Sequence, residues 1–222
     1  MKKASGLRNA VLLVIFVGFV IVACFLLIMG ANYFAGYVVR GTRPIPADAA
    51  KFDPITTYPQ IVEFAGTGTP LKLLQIEMKF VKADGTLDLT GGYGAEVNYD
   101  FAHVLDDSPT NSAPLGAGGG TSTGPYAERI NVRVSQPGMK GGSTDQYYDF
   151  GLYRITVPAA PLTRTIVDVP SCNLKALWDA AIKQDAPANA VATIRYNSSG
   201  YSFSIKDTSI SLQFDANCQL KK

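Results

Sequence analysis

His103 is the only histidine in the chain, and therefore the only conventional base that titrates near neutral pH. A hydrolase triad would have to draw its other members from nearby residues, namely Asp100, Asp106, Asp107 and Ser108. That chemistry favours a serine on a sharp, glycine-flanked turn, and the sequence contains none. Asp100 and His103 are an odd number of residues apart in a predicted strand, which directs their side chains to opposite faces. We therefore expect no catalytic residue and interpret His103 as a solvent-facing side chain at a strand end.

The sequence contains few groups of residues that could bind a metal or a cofactor. Paired carboxylates occur at Asp84 with Asp88 and at Asp106 with Asp107. Calcium loops need a longer series of oxygen ligands that ends on an acidic residue. The glycine run at 118–120 lacks the strand, the helix and the lysine of a phosphate-binding loop. We therefore predict no metal and no cofactor, and interpret the carboxylates as turn residues.

Two of the three cysteines, Cys172 and Cys218, flank the predicted C-terminal helix and strands. If this part of the chain lies in an oxidising compartment, the arrangement predicts a disulfide between them. The alternatives are two buried free thiols or a metal pair. A metal pair would lack further ligands, because Cys24 lies in an apolar segment and His103 is the only histidine. Redox catalysis is not expected, because the two cysteines are far apart in sequence.

An aromatic cluster occurs in a predicted strand and consists of Tyr147, Tyr148, Phe150 and Tyr153. Successive side chains of a strand point to opposite faces, so these rings cannot all enter a one-sided core. An exposed aromatic strip would bind a partner protein, a glycan or the membrane surface. We take Tyr147, Tyr148 and Tyr153 as the candidate interaction surface. The alternative is that this strand is covered on both faces.

An apolar segment near the N-terminus predicts a membrane anchor. Residues 11–29 carry no charge, and at about 1.5 Å rise per residue they would cross a hydrocarbon core of ~30 Å. The nearest basic residues precede the segment, while those that follow it are more distant: Lys2, Lys3 and Arg8 against Arg40 and Arg43. This bias predicts a single-pass protein of the cell membrane with a cytoplasmic N-terminus and the remaining chain outside the cytoplasm.

Cys24 allows a second interpretation of the same segment. Ile21, Val22 and Ala23 precede it and match the pattern before a lipidated cysteine in bacterial lipoprotein signals. The apolar run nevertheless continues to Met29, where such a signal would turn polar. It is also longer than the apolar core of about 7–15 residues in a cleaved signal. We therefore favour an uncleaved anchor over lipidation of Cys24.

The remaining chain predicts a single α+β domain, an antiparallel β-meander covered by two short helices. We expect four regions: a cytoplasmic N-terminus at 1–10, an anchor at 11–30, an interface and stalk at 31–53, and an extracytoplasmic domain at 54–220 with candidate subunits at 54–169 and 170–220. Strands are predicted at 71–82, 86–90, 94–105, 126–135, 147–157, 163–169, 190–196, 201–206 and 209–216.

Two helices are predicted to pack on this sheet. Asp53 followed by proline predicts the start of the first helix, and Pro59 is expected to kink or divide it. Ser171 or Asn173 would cap the second helix. Its apolar residues recur at helical spacing on one face: Leu174, Leu177, Trp178, Ala181 and Ile182.

The formal net charge of +2 comes from scattered acids and bases, so nucleic acid is not expected as a partner. The sequence therefore predicts a non-enzymatic, membrane-anchored extracytoplasmic interaction or accessory domain of an envelope complex. Its protein partner would lie near the membrane, because the stalk is short. The alternative is a ligand- or lipid-binding sensing domain with a cavity between helix and sheet. A hydrolase is disfavoured by the single histidine.

Overall fold

The structure is a computed structural model, and it describes residues 16–28, 45–66, 70–90, 94–105, 125–135 and 151–221. The chain divides into two compact units, Met1–Gly41 and Thr42–Lys222. In the first unit, residues 16–28 form helix α1, in which every residue is exposed except the half-buried Ala23. Across the described ranges, no helix has both the length and the apolar character needed to cross a membrane.

The second unit is built on one antiparallel sheet of seven strands. The strands are β1 (Lys72–Val81), β2 (Glu96–Val104), β3 (Tyr126–Ser135), β4 (Leu152–Pro161), β5 (Ala192–Asn197), β6 (Gly200–Ile205) and β7 (Ser211–Phe214). Their order across the sheet is β4-β3-β2-β1-β5-β6-β7. The predicted β-rich α+β class is confirmed, whereas the membrane-spanning helix stays a prediction.

Two meanders meet at the centre of this sheet, where β1 pairs antiparallel with β5. In this pairing Met78 lies opposite Ile194. Each meander follows a short helix in the chain, α2 (Tyr58–Ala65) before β1 and α3 (Leu174–Ile182) before β5. The strand alternation within each meander is a local pattern. The pairing of β1 with β5 joins distant segments and is not specified by any local pattern.

The helices and one face of the sheet enclose a single large hydrophobic core. On α3, Trp178 is fully buried and stands edge-on to Phe203 of β6, with ring centroids 5.0 Å apart. Such an aromatic pair contributes about 0.5–1.5 kcal/mol beyond the area that it buries. On α2, Tyr58 and Ile61 are buried in the same core. These apolar side chains occupy the space beneath the two helices.

Helix α2 begins later than the sequence predicts. The carboxylate of Asp53 accepts hydrogen bonds from the N–H groups of Ile55 and Thr56, at 2.9 and 3.2 Å, and so closes a turn instead of capping the helix. The helix starts at Tyr58, with Pro59 in its first turn. A proline in the first turn leaves no intrahelical hydrogen bond unmade, so Pro59 starts the helix and does not kink it. Asn173 caps α3, as one of the two predicted caps.

Two predicted strands are only single bridges in the structure. Within 86–90, Leu87 bridges to Phe52, and within 163–169, Val167 bridges to Leu73. At the first of these segments Asp88 accepts hydrogen bonds from the N–H and the hydroxyl of Thr90, at 3.0 and 2.6 Å. Such a local side-chain bond offers the backbone an alternative to a strand ladder.

A disulfide joins Cys172 to Cys218, as the sequence predicts, with their Cα atoms 5.7 Å apart. Cys172 immediately precedes α3 and is buried, and its N–H donates to the hydroxyl of Tyr201 at 3.3 Å. Cys218 follows β7. The bond therefore ties together the two ends of the C-terminal helix and meander, and it is compatible with an oxidising compartment.

Candidate interaction surface

Strand β4 is the last strand on one side of the described sheet, so one of its edges is open in the part of the chain that the structure describes. It pairs with β3 from Tyr126 opposite Pro161 to Val134 opposite Leu152. Among the residues that the structure describes, no strand lies along its other edge. An unpaired strand edge presents N–H and C=O groups that can pair with another chain.

The hydrogen bonds to β3 show which backbone groups of β4 point outward. The N–H of Ser135 donates to the carbonyl oxygen of Gly151 at 2.8 Å, so the odd-numbered residues from Gly151 to Val157 face β3. The even-numbered residues direct their N–H and C=O groups away from the sheet: Leu152, Arg154 and Thr156. The next even-numbered residue is Pro158, which has no N–H to donate. The edge available for pairing is therefore about five residues long.

One face of this edge carries an apolar strip, which we define as Tyr153, Ile155 and Val157. Ile155 and Val157 are 45% and 43% exposed. Tyr153 is half-buried. Side chains at alternate positions of a strand share a face, so the three form one continuous row.

A polar row on β3 flanks the apolar strip. The residues opposite the strip are Arg133, Asn131 and Arg129. They alternate with Val132 and Val134, which belong to the core, so the row and the strip share the face that points away from the helices. A partner at this edge would meet an apolar strip backed by two guanidinium groups.

Neighbouring side chains hold Arg133 in place. Its Nε donates to Oδ1 of Asn98 at 3.2 Å and lies 3.6 Å from Oε2 of Glu96. Its guanidinium carbon is 5.3 Å from the ring centre of Tyr153, a cation–π distance. Although burial opposes the change, hydrogen bonds from Asn98 and Lys79 lower the pKa of Glu96. This part of the surface is preorganised, which reduces the entropy that a contact would cost.

The second arginine of the row, Arg129, binds a buried carboxylate. Arg129 and Arg164 each donate to Oδ2 of Asp100 at 2.5 Å. The side chain of Asp100 is 8% exposed, whereas those of Arg129 and Arg164 are 41% and 47% exposed. The other carboxylate oxygen, Oδ1, has no hydrogen-bond partner within the described ranges. One carboxylate thus serves two cations, and the cluster attaches the segment after β4 to the sheet.

The predicted interaction surface lies only partly within the described residues. Tyr153 belongs to the apolar strip, whereas Tyr147 and Tyr148 lie outside the described residues. Ile155 and Val157 belong to the strip as well, although no chemical motif marks them in the sequence. Their spacing of two from Tyr153 is the signal that could have found them.

The residues considered for a hydrolase triad do not come together where the structure describes them. Asp100 binds two arginines, while Nδ1 of His103 lies 3.3 Å from Oε2 of Glu128. The other three lie outside the described residues: Asp106, Asp107 and Ser108. In the described part of the chain, no group of three or more histidine, cysteine or acidic residues could hold a metal ion.

The remaining singled-out residues have local environments of their own. Cys24 is an exposed free thiol in α1. Asp84 accepts a hydrogen bond from the N–H of Thr86 at 3.0 Å, as a turn residue does. Hydrogen bonds from the hydroxyl and N–H of Thr90, and from Lys82, lower the pKa of Asp88 to about 2. These acids are bound within their own turns.

A second surface feature is an open cleft of about 400 Å³ beside the turn between β5 and β6. Its polar lining residues include Asp168, Asn197, Ser199, Asp215 and Lys221. The hydroxyl of Tyr196 donates to the carbonyl of Asp168 at 3.1 Å, and Nζ of Lys221 donates to that of Ser199 at 2.7 Å. The volume lies within the range of roughly 300–1,000 Å³ that is usual for small-molecule sites.

Comparison with known proteins identifies no relative: no protein-family model matches the chain, nor does any curated protein or any solved structure.

Proposed function

We propose that this protein is a non-enzymatic, membrane-anchored extracytoplasmic interaction or accessory domain of an envelope complex, and that it contacts a protein partner through the open edge of β4. The observation that carries the proposal is the apolar strip. Ile155 and Val157 are half-exposed on a strand whose outer edge is unpaired in the described part of the chain. Apolar side chains at an open edge are an aggregation risk unless another surface covers them.

The residue types of this surface support a protein contact. Tyrosine and arginine are enriched among the residues that dominate binding free energy at interfaces, and here Arg133 stacks on Tyr153. Burial of apolar area contributes about 25 cal/mol per Å². Covering the exposed part of Ile155 or Val157 would therefore contribute on the order of 1 kcal/mol each. A small number of such contacts, together with backbone pairing, suffices for a specific but modest affinity.

Features of the N-terminal unit support attachment to a membrane. The uncharged segment 11–29 has the length that a membrane span needs. Its described part, 16–28, is helical and exposes large apolar side chains, such as Phe19 at 71% and Leu27 at 72%. A stalk at 31–53 would keep the partner near the bilayer, because an extended chain reaches at most about 3.5 Å per residue.

The alternative function is the binding of a small ligand. The observation that favours it is the open cleft beside the β5–β6 turn, since the space beneath α3 is occupied by Trp178 and Phe203. The cleft mixes carboxylates, an ammonium group and hydroxyls with the 42% exposed Ile166. It would therefore suit a small polar molecule. Native mass spectrometry of the purified full-length protein would reveal such a ligand as a discrete added mass.

Co-purification of the full-length protein from mild detergent tests the contact function. The test variant is Ile155→Thr with Val157→Thr, because threonine keeps the strand preference and removes apolar surface. The matched control is Ile166→Thr with Val169→Thr, which alters the same residue types at 42% and 61% exposure away from β4. All forms are first compared by thermal unfolding, so that a folding defect is recognised.

We expect the unaltered protein and the control to retain one stoichiometric partner, and the β4 variant to lose it while it unfolds at an unchanged temperature. Retention of that partner by the folded β4 variant would exclude the strip as the contact. Loss of the partner only in the control would place the protein contact near Ile166 and the cleft instead of at β4.

A further inference from the structure

We propose that β4 binds its partner by strand addition, and that the added segment is an extended acidic stretch of another protein with a carboxylate opposite Arg154 and apolar residues opposite Ile155 and Val157. The inference rests on the proposed contact function and deepens it, because it names the chemistry of the segment that binds.

The backbone of β4 offers a defined docking register. Leu152, Arg154 and Thr156 direct their N–H and C=O groups away from β3, as the bond from Ser135 to Gly151 requires. Pro158 ends this series because it lacks an N–H. A partner of about five residues could therefore form a complete ladder, and main-chain hydrogen bonds supply affinity in strand addition.

Arg154 gives this edge its charge preference. It lies on the other face of β4 from the apolar strip, the face that also carries the buried Leu152. Its Nε is buried and has no hydrogen-bond partner in the described ranges. Strand β4 itself contains no acidic residue. The Arg154 side chain as a whole is half-buried, so a carboxylate on an added strand would form a charge-assisted hydrogen bond with the outer part of its guanidinium group.

The neighbouring charges favour the same kind of partner. Arg129 and Arg164 share the single carboxylate of Asp100, so this cluster has an excess of one positive charge. Arg133 shares Glu96 with Lys79, which is a second excess of the same sign. Glu128 on β3 offsets one of these charges. With Arg154, the basic groups still outnumber the acids, which makes the edge attractive to an acidic segment and repulsive to a basic one.

A second copy of this chain fits the edge less well. If two copies paired antiparallel through Leu152, Arg154 and Thr156, the two-fold axis would pass through the centre of this set. The two Arg154 side chains would then lie directly opposite each other. Like charges in a directly opposed cross-strand pair are destabilising. A two-residue shift of register in one direction would place Leu152 opposite Pro158, which has no N–H to donate. The same shift in the other direction leaves only Leu152 and Arg154 as outward-facing described residues in the pairing.

Alternation within a strand then defines the partner's pattern. A residue opposite Arg154 points to the same face as Arg154, and residues opposite Ile155 or Val157 point to the face of the apolar strip. The added segment should therefore alternate acidic and apolar residues. This pattern distinguishes strand addition from a contact made by side chains alone.

The test uses the full-length protein in detergent and two blocked synthetic peptides, Thr-Val-Glu-Val-Glu-Val-Thr and its counterpart with Lys in place of Glu. Fluorescence anisotropy measures binding, and amide hydrogen exchange by NMR locates it. We expect the Glu peptide to bind at least about tenfold more tightly than the Lys peptide. It should also slow exchange at Leu152, Arg154 and Thr156 selectively, because the intervening amides are already bonded to β3.

A charge reversal isolates the role of Arg154. Arg154→Glu should reverse the preference between the two peptides, whereas the control Lys206→Glu, at an exposed turn, should leave it unchanged. If Arg154→Glu proves unfolded by its melting transition, Arg154→Gln should abolish the preference instead.

Equal binding of both peptides, no binding of either, or binding without protection of the three outward amides would overturn strand addition by an acidic segment. Concentration-dependent protection of those amides without peptide would show that a second copy is the occupant. Each of these outcomes leaves the co-purification result untouched, so failure of this inference and failure of the proposed function are distinguishable.

Discussion

Among the residues that the structure describes, Asp100 is the only charged one that is buried. It is the shared acceptor of Arg129 and Arg164, and removing its charge would leave two guanidinium groups side by side. Breaking a fully buried ion pair costs roughly 3–5 kcal/mol, and the partial exposure of both arginines reduces that cost. We therefore predict that Asp100→Asn lowers the free energy of unfolding by about 2 kcal/mol, measured by urea titration.

The control for this variant is Asp179→Asn. Asp179 pairs with Lys175 on the surface of α3, at 2.7 Å, with both side chains about half-exposed. An exposed helix pair contributes only about 0.3–0.5 kcal/mol. Equal effects of the two variants would show that Asp100 contributes no more than a surface acid.

Buried tyrosines predict the response to alkaline pH. Burial, with a smaller contribution from nearby Tyr196, raises the pKa of Tyr58 to about 12. Burial also raises the pKa of Tyr99, whose hydroxyl donates to the carbonyl of Pro54 at 2.8 Å. The folded state therefore holds these protons more tightly than the unfolded state, so stability is unaffected below a pH of about 10 and falls above it.

Free energies of unfolding measured between pH 8 and 12 check this prediction. The fall should begin near pH 10 and continue to about 12, and it should be shallower in Tyr58→Phe, which has no phenol to ionise. A stability that rises over this interval would contradict the assigned direction of the pKa shift.

At the scale of single strands and helices, the sequence predicted the positions of most elements but not all of their bounds. Alternation located β3 at its observed bounds, Tyr126–Ser135, and helical spacing located α3. Of the strand predicted at 147–157, the part at 147–150 lies outside the described residues, and the strand continues past the predicted end to Pro161. Its end was missed because residues 155–160 are exposed on both faces and give no alternation signal. Asp53 lies in a turn because its carboxylate bonds to a nearby N–H group. Leu87 bridges to Phe52, which is distant in sequence, so no local pattern predicts this contact.

The candidate surface was predictable only in part, because it too depends on contacts between distant segments. Tyr153 was predictable because aromatic rings cannot all enter a one-sided core. Ile155 and Val157 became part of the surface only because β4 is the outermost strand, and strand order is a property of the complete sheet. Likewise, the pairing of Asp100 with Arg129 and Arg164 joins three separate segments of the chain.

The disulfide is expected to stabilise the C-terminal helix and meander. Closing a loop between residues 46 apart should stabilise the folded state by up to ~4 kcal/mol through the lost entropy of the unfolded chain. We predict that the paired change Cys172→Ser with Cys218→Ser lowers the unfolding temperature, as does a reductant with the unaltered protein. A reductant that lowers the unfolding temperature of the serine variant equally would contradict this account.

For the whole molecule, the membrane anchor makes a prediction that separates it from lipidation. An anchor formed by 11–29 should resist extraction by alkaline carbonate, and Cys24→Ser should not change this, because a serine is tolerated within an apolar helix. A lipid-sized added mass on the unaltered protein that is absent from Cys24→Ser would instead favour the lipoprotein interpretation.

The predicted orientation has its own test. Protease added to right-side-out vesicles should digest the second unit, and its digestion only in inverted vesicles would contradict the predicted orientation.

Photocrosslinking in intact membranes would show whether the open edge of β4 touches a protein partner. A photoreactive phenylalanine analogue would replace Ile155 in the full-length protein and, as the matched control, Ile166, which is similarly exposed at 45% against 42%. We expect one discrete crosslinked product of higher mass from position 155 and none from position 166. No product from position 155, or the same product from both positions, would contradict a specific contact at β4.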